Sequence, residues 1–330
     1  MRAGRRPGTP GRRWRRRGNE GMGRYLAGRI LSTLAALWTV ATGTFLLMHA
    51  IPGNPFDSPT LPPAIQVSLR HRYGLDLPLW RQYLLYWGGL LHGQLGTSLL
   101  RPGRTVGQII AARLPVSAAL GTEALLWSLS CGVALGLLGA QRPGGAWDWL
   151  VTLGTVLGLA LPNFVVAVLL DEFLGVRARL LPVAGWGGLG ASVLPALSLG
   201  VGALALVARL VRSEAGLVLG QPYVRMALAK GVRPAGLLWR HVLRNAALPL
   251  VTVLGPLVAA VVTGSLVIER IFAIPGLGSA FVRSVLDRDY PVILGLAVFY
   301  AAVLLVCNLA ADLALLWLDP RLRLGRRHGL

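Results

Sequence analysis

The chain has 330 residues, of which 54% are hydrophobic and 14% are charged, and its mean hydropathy is +0.61. This composition excludes an ordinary soluble domain, because about a quarter of the residues in such a domain are charged. The formal net charge of +20 does not indicate a nucleic-acid partner, because a basic DNA-binding protein exposes its arginines on a solvated face and has no use for long apolar runs. The sequence predicts an all-α, polytopic integral membrane protein.

Residues 1–21 form the first distinct segment, which is rich in Arg, Gly and Pro. Five of its arginines are nearly contiguous, namely Arg12, Arg13, Arg15, Arg16 and Arg17. A segment with high net charge and little apolar surface cannot build a core. We therefore predict that residues 1–21 are a disordered extension.

Six apolar runs are each long enough to cross the roughly 30 Å hydrocarbon core of a bilayer. They cover residues 30–51, 117–140, 150–170, 193–211, 246–268 and 292–318. The first run outlasts the apolar part of a secretory signal, and no small-residue cleavage site follows it. We expect it to remain in the protein as a membrane anchor.

A seventh candidate span, residues 79–100, contains four strongly polar side chains. They are Arg81, Gln82, His92 and Gln94. Charged positions near the centre of a span are costly in lipid. We interpret this stretch as an amphipathic helix that lies at the membrane interface.

The distribution of basic residues tests this count of spans. With six spans, 22 of the 33 Lys and Arg residues lie on the side that holds both termini and the loop of residues 209–244. An excess of Lys and Arg marks the cytoplasmic face of a membrane protein. Both termini are therefore expected to be cytoplasmic, and a seventh span would place the basic loop outside.

Ionisable residues inside spans are candidates for function. We interpret Glu123 and Asp312 as partners in hydrogen bonds between helices, or Glu123 as a residue near the outer interface, because a proton-driven carrier needs a longer relay of acidic and His residues. The five His residues are scattered, and Cys131 and Cys307 fall in apolar runs where Cys acts as a small hydrophobe. We predict no metal site, no catalytic site and no cofactor.

Two adjacent carboxylates, Asp171 and Glu172, stand at the outer end of the third span, close to Arg177 and Arg179 in the sequence. In one interpretation they pair with these arginines and fix the end of the span at the interface. In the other, at least one carboxylate points into the helix bundle, because neighbours about 100° apart on a helix cannot both face lipid comfortably. That carboxylate would meet a cationic substrate at the mouth of a pathway.

The loop between spans four and five contains a helix, a sharp turn and a second helix. Pro222 is suited to the first turn of a helix, Gly231 to its end, and Pro234 to the start of the next helix. A rigid projection of this kind can receive force from a soluble partner. The alternative is a surface helix whose arginines pair with lipid phosphates.

Several short motifs resemble those of permease subunits of bacterial ABC importers, in the branch that carries dipeptides, oligopeptides and nickel. The loop matches the cytoplasmic coupling motif of that branch from Tyr223 to Pro249. Other matches follow in order along residues 22–325: His49-Ala50-Ile51-Pro52-Gly53, Tyr73-Gly74-Leu75-Asp76, Leu95-Gly96-Thr97-Ser98, Leu194-Pro195-Ala196-Leu197, Ile274-Pro275-Gly276-Leu277-Gly278, Arg288-Asp289-Tyr290-Pro291 and Asp319-Pro320-Arg321. Four positions depart from the usual pattern of the branch, namely Asn54, Gln94, Asp171 and Glu172.

The resemblance implies a type I ABC importer permease fold. Its core would cover residues 113–318, after a first span and an extracytoplasmic segment at residues 22–112 and before a cytoplasmic tail at residues 319–330. Members of the family begin much as Met22-Gly23-Arg24 does. We therefore expect translation to start at Met22, which would make residues 1–21 a mis-assigned extension.

The resemblance also implies the partners and the contact residues. Residues 213–249 would be the coupling segment that binds an ATPase subunit. The residues expected to carry this contact are Tyr223, Arg225, Ala227, Ala229, Lys230, Gly231, Arg240, His241, Arg244, Asn245 and Pro249. The expected assembly contains a second homologous permease, two cytoplasmic ABC ATPase subunits and an extracytoplasmic solute-binding protein, in the bacterial inner membrane.

The chain lacks the sequence needed to hydrolyse ATP itself. A phosphate-binding loop requires glycines followed by a Lys that reaches the terminal phosphates. The only Lys in the chain is Lys230, and Gly231 and Val232 follow it. We therefore expect ATP hydrolysis on a separate chain. The alternative function, an ion-coupled secondary transporter, would need inverted repeats and broken helices around a midplane ion site, and neither is evident in the sequence.

Overall fold

The computed structural model describes residues 11–50, 56, 62–231 and 243–318. Over these residues the chain is helical, and the one strand-like feature is an isolated bridge between Thr97 and Thr105. The helices are α1 (Gly11–Ala50), α2 (Pro63–Arg72), α3 (Leu79–Leu91), α4 (Val106–Gln141), α5 (Ala146–Ala160), α6 (Asn163–Leu170) with a π-helical continuation (Asp171–Arg177), α7 (Leu189–Leu219), α8 (Pro222–Ala229), α9 (Leu243–Val262), α10 (Leu266–Ile271), α11 (Leu277–Leu286) and α12 (Tyr290–Leu318). The prediction of an all-α fold is confirmed.

Five stretches of helix in the described residues are long and apolar enough to cross a membrane. They are Ala27–Ala50, Val106–Gln141, Gly190–Leu219, Pro249–Ile271 and Tyr290–Leu315. A sixth crossing exists if Ala146–Ala160 and Asn163–Arg177 act together. The fold is therefore that of a polytopic membrane protein, and five of its crossings overlap predicted spans.

The third predicted span differs from the structure. Residues 150–170 were expected to form one continuous helix, but the chain bends by 105° between α5 and α6. Leu161 and Pro162 at the bend have extended backbone, with ψ of 125° and 138°. The residue before a proline is disfavoured in the helical region, and proline itself has no N–H for the preceding turn.

Other boundaries differ because caps and breaks, not hydropathy alone, set the helix ends. Helix α4 begins at Val106, inside the predicted extracytoplasmic segment, because Thr105 and Gln108 form a reciprocal capping box with hydrogen bonds of 3.2 and 3.1 Å. The fifth span is interrupted at Gly264, whose φ is +76°, before helix α10 resumes.

Helix α1 begins at Gly11, inside the segment for which the sequence predicts disorder, and the disorder of residues 1–21 stays a prediction. Arg is a good helix former, and a helix that has already been nucleated in the membrane extends at little cost. Residues 1–10 lie outside the part that the structure describes.

Helices α4 and α7 form the central pair of the bundle and make its most extensive contact. Two glycines of α4, Gly132 and Gly136, face α7 at a spacing of one turn. A Cβ atom at Gly136 would lie 2.7 Å from the carbonyl oxygen of Ala208. Small residues at this spacing let two backbones approach closely, which drives helix association in lipid.

The outer segment is attached to the bundle through the start of α12. Asp289 is 5% exposed and accepts hydrogen bonds from the hydroxyl of Ser98 and from the backbone N–H of Leu99, the latter at 3.0 Å. An apolar cluster surrounds this contact, and its buried members are Phe45, Met48, Phe56, Leu99, Tyr290, Ile293 and Leu294. The position of the segment relative to the spans is thereby fixed.

Helix α3 covers the first part of the seventh candidate span. It has 13 residues, which is too short to cross a bilayer. Its exposed apolar side chains are Leu79, Trp80, Leu84, Leu85 and Leu91. The helix therefore does not span the membrane by itself, and its interfacial location stays a prediction.

Candidate functional site

The candidate site is the segment that follows α7 on the predicted cytoplasmic side. Helix α7 ends at Leu219, and α8 begins only three residues later at Pro222. Backbone hydrogen bonds close the corner, from Gln221 N–H to Val218 at 3.0 Å and from Val224 N–H to Gln221 at 3.1 Å. A displacement of α8 is therefore passed directly to the end of α7.

Helix α8 has one anchored side and one exposed side. Val224 is buried, with 1% of its surface exposed, whereas Tyr223 is 44% and Met226 is 59% exposed. Ala229 and Lys230 are also exposed, and Ala227 is half-buried. The exposed aromatic and apolar side chains give this short helix a face suited to binding another protein.

Gly231 ends the α8 segment in a left-handed conformation, with φ of +80°. Among the residues that the structure describes, no heavy atom lies within 4 Å of a Cβ built on it. The backbone angles of this position therefore favour glycine. The sequence predicts Gly231 at the end of the helix, and a positive φ is typical of that position.

The second half of the predicted coupling segment is only partly visible. Arg240 and His241 lie outside the described residues. Arg244 and Asn245 belong to the backbone of α9, as Arg225 does to that of α8, but the described part of the structure does not include their side chains. Pro249 lies within α9. The contact roles of all these residues stay predictions.

A polar contact beneath the segment was not predicted from the sequence. Asp148, near the start of α5, forms an ion pair with the Nε of Arg212 on α7. The same carboxylate accepts a hydrogen bond of 2.9 Å from the backbone N–H of Gly144. Asp148 is 8% exposed, so this pair firmly joins the loop before α5 to the end of α7 that leads into α8.

The two outer carboxylates have different surroundings. Glu172 accepts a hydrogen bond of 2.9 Å from the Nε of Arg177, in a pair that is largely exposed. Asp171 turns toward Gly175, and its Oδ1 atom is buried without a hydrogen-bond partner among the described residues. The geometry of Glu172 fits an interfacial anchor, whereas the geometry of Asp171 fits the inward-facing alternative.

A buried carboxylate, Glu269 of α10, links α4 to the start of α11. Its Oε1 accepts from the hydroxyl of Ser117 at 2.7 Å, and its Oε2 accepts from the N–H of Ser279 at 2.9 Å. Ser117 in turn accepts from the N–H of Leu277 at 2.8 Å. A Cβ at Gly276 would lie 2.5 Å from this carboxylate, so the glycine of the Ile274-Pro275-Gly276 motif makes room for it.

Asp312, one of the two acids inside the predicted spans, pairs with Arg29 of the first span. The pair joins α1 to α12, in agreement with the prediction of a polar bond between helices. Glu123 is half-buried in α4.

Comparison with known proteins connects these features to a family. Residues 132–324 match the family described as binding-protein-dependent transport system inner membrane component. The chain is 39% identical over 303 residues to the dipeptide transport system permease protein DppB of Lactococcus lactis, with 92% of this chain and 100% of the relative aligned. It is 41% identical to DppB of Bacillus subtilis over 93% of this chain and all of the relative. It is 34% identical to the oligopeptide transport system permease protein OppB of Haemophilus influenzae over 91% of this chain and 99% of the relative.

Proposed function

We propose that this chain is a permease subunit of an ATP-driven importer of peptides. It belongs to the family of binding-protein-dependent transport system inner membrane components, and the proposal proceeds from this membership. One observation carries this proposal. Permeases for dipeptides and oligopeptides align with more than nine-tenths of the chain, and with at least 99% of their own length. The chain is thus a transport component and not itself an enzyme.

The proposed assembly contains this chain, a second homologous permease, two ATPase subunits and a solute-binding protein. The family description supports a dependence on a binding protein. The sequence has a single Lys and no phosphate-binding loop around it, which supports ATP hydrolysis on separate subunits. In this arrangement α8 and the coupling segment face the ATPases in the cytoplasm, and the α10–α11 region faces the binding protein outside.

The structure suggests how motion would reach the membrane. An ATPase subunit that moves α8 also moves α7, because only Gly220 and Gln221 separate the two helices. Helix α7 packs along α4 over most of its length, and Asp148 ties α5 to Arg212 of α7. The proposed mechanism is a shift between inward-open and outward-open arrangements through differential binding of the ATPases to the two states.

Reconstitution tests this function. The chain, its partner permease and the two ATPases are placed in proteoliposomes, and uptake of a labelled dipeptide is measured with and without the binding protein. We expect uptake to require ATP and the binding protein and to survive ionophores that collapse ion gradients. An ATPase variant that lacks its phosphate-binding Lys is the matched control. Uptake driven by an ion gradient without ATP would overturn the proposal.

A further inference from the structure

A cavity of about 420 Å³ lies between three of the long apolar helices, α1, α9 and α12. This volume falls within the range of roughly 300–1,000 Å³ that small-molecule sites occupy. Half of the residues that line the cavity are polar, namely Arg29, Ser32, Thr33, Thr252, Asn308 and Asp312. Ionisable residues inside spans are rare, and they mark paired contacts or binding surfaces.

The charged end of the cavity lies at the depth of the lipid headgroups. Arg29 and Thr252 stand two and three residues after the starts of their spans, and Asp312 stands three residues before the end of its span. At a rise of about 1.5 Å per residue, all three lie within about 5 Å of the span ends. These ends belong to the side that is predicted to be cytoplasmic, so the charged end meets the headgroups of the inner leaflet.

The rest of the cavity extends into the hydrocarbon core. Ala36, Pro256 and Leu305 line it and stand seven to ten residues inside their spans, roughly 10–15 Å from the span ends. Thr33 and Asn308 stand six and seven residues inside, and they are polar but uncharged. The cavity thus changes from charged to uncharged with depth, as a site for an amphiphile requires.

The two charged residues form an ion pair at the cavity's headgroup end, between the Nη2 of Arg29 and the Oδ2 of Asp312. The pair is not sealed, because 44% of the Arg29 side chain and 25% of the Asp312 side chain are exposed. No other charged residue of the described chain lines the cavity. A simple anion would be repelled by Asp312 and a simple cation by Arg29. The cavity therefore favours a ligand that carries both charges side by side.

The hydroxyls in the cavity add acceptors to the carboxylate. Ser32 and Thr252 donate their hydroxyl hydrogens to the backbone carbonyls of Arg29 and Pro249, at 2.8 and 2.6 Å, so their oxygens serve as acceptors. A primary ammonium has three N–H donors for such acceptors, whereas a quaternary ammonium has none. A guanidinium matches the oxygens of a phosphate in bidentate geometry.

We propose that the cavity binds an inner-leaflet phospholipid whose headgroup carries a phosphate and a primary ammonium, as that of phosphatidylethanolamine does. Arg29 binds the phosphate, Asp312 binds the ammonium, and an acyl chain lies along Ala36 and Leu305. Free phosphoethanolamine and a dipeptide carry the same two charges but lack the acyl chain. The lipid site does not depend on the nature of the transported solute.

Photo-crosslinking of the purified complex of permeases and ATPases in nanodiscs tests the site. The probes are phosphatidylethanolamine, phosphatidylglycerol and phosphatidylcholine, each with a diazirine near the top of one acyl chain. Crosslinks to residues 29–36 and 305–315 are counted by mass spectrometry relative to crosslinks elsewhere in the chain. We expect phosphatidylethanolamine to exceed each of the other lipids about tenfold. Equal crosslinking by the three lipids overturns the proposal, and so does its absence, which would mean that another subunit covers the cavity.

Variants assign the preference to the ion pair. Asp312→Asn leaves Arg29 without its counter-charge, so the preference should change to phosphatidylglycerol, whose headgroup is anionic. The double variant Arg29→Gln with Asp312→Asn should show no preference. The matched control, Glu172→Gln with Arg177→Gln, neutralises an ion pair at the opposite side and should retain the preference for phosphatidylethanolamine. A preference that survives in the double variant contradicts the proposal, and the comparison of the three lipids in the unaltered protein stands even if a variant fails to assemble.

Soluble zwitterions distinguish a lipid site from a site for a free solute. An excess of phosphoethanolamine or of dialanine should leave the crosslinks to phosphatidylethanolamine in place, because neither compound fills the apolar part of the cavity. Loss of the crosslinks with either compound would make the cavity a site for a soluble zwitterion and overturn the lipid assignment.

Discussion

At the scale of single residues, Gly231 offers the most direct test of the coupling segment. Its φ of +80° is unfavourable for residues with a Cβ by roughly 1–2 kcal/mol, and a β-branched side chain is the least tolerant of it. We predict that Gly231→Val leaves membrane insertion normal but abolishes uptake and weakens ATPase association. Pull-down of the ATPases and uptake in proteoliposomes measure the two effects.

Asparagine provides the matched control at this position, because it enters the left-handed region more readily than other residues with a side chain. Since no atom of the described residues lies within 4 Å of a Cβ at Gly231, Gly231→Asn should retain most of the uptake. Full transport by Gly231→Val would show that α8 is a passive surface helix among lipid headgroups.

His71 and Asp76 form an exposed pair whose protonation can be measured. Their Nδ1 and Oδ2 atoms are 2.7 Å apart. The hydrogen bond with Asp76 raises the pKa of His71, and the same bond lowers the pKa of Asp76. The stabilisation from His71 is complete below its ordinary pKa and is lost as the pH rises through the raised value. The contribution of Asp76 is lost as the pH falls through its lowered value.

We predict that Asp76→Asn shifts the titration of His71 to lower pH, because the partner that favours the protonated ring is removed. NMR of protein labelled at the histidine ring follows the titration directly. Asp287→Asn removes an exposed carboxylate elsewhere on the same side and should leave the titration of His71 unchanged. A midpoint for His71 that stays in place in Asp76→Asn would contradict the pairing.

Asp171 and Glu172 can now be tested separately, since only Glu172 has an arginine partner in the described structure. We predict that Glu172→Gln changes uptake little, because exposed ion pairs contribute about 0–1 kcal/mol. Asp171→Asn should reduce uptake of cationic peptides selectively at normal protein abundance. If Asp171→Asn takes up neutral and cationic peptides at the same rates per molecule as the unaltered protein, the pathway role is refuted and both carboxylates are anchors.

At the scale of secondary-structure elements, apolar runs predicted the spans because the bilayer requires about 20 apolar residues in each crossing helix. Prolines did not reveal where the helices break. Pro115, Pro195 and Pro256 lie within helices, whereas Pro162 stands at the 105° bend. Whether a helix continues through a proline depends on the neighbours that can satisfy the freed carbonyl, and these neighbours are distant in sequence.

Contacts between residues that are distant in sequence also limit what could be predicted of the candidate site. Gly231 was predictable because a glycine after a short helix is a local signal. The contact between Asp148 and Arg212 joins residues 64 positions apart, and that between Ser117 and Glu269 joins residues 152 positions apart. No local sequence pattern identifies partners that are this far apart in the chain. The coupling motif was therefore predictable, but the contacts that support it were not.

The contact between α5 and α7 gives a prediction at this scale. Arg212→Met leaves the buried Asp148 without its counter-charge, so we expect a lower melting temperature and reduced uptake. The double variant Asp148→Asn with Arg212→Met contains no unpaired charge and should recover part of the stability. Fluorescence-detected size-exclusion melting curves measure both. Additive losses in the double variant would show that the two residues do not act as a pair.

At the scale of the whole molecule, the bent helix pair determines which side of the membrane each later loop occupies. If α5 and α6 with its π-helical continuation cross the bilayer together, the chain has six crossings and residues 220–242 face the same side as the N-terminus. If the pair turns back, the chain has five crossings and these residues face the opposite side. The second topology would expose the basic loop, including Lys230, on the side that basic residues avoid.

We therefore predict six crossings, with both termini in the cytoplasm. In a background with Cys131→Ala and Cys307→Ala, single cysteines at exposed positions report the topology. Ala184→Cys, which follows the bent pair, should react with a membrane-impermeant maleimide on intact cells. Arg142→Cys and Lys230→Cys should react only after permeabilisation. If Ala184→Cys stays protected while Lys230→Cys is labelled from outside, the bent pair is re-entrant and α8 cannot meet an ATPase, because ATP hydrolysis occurs on the other side.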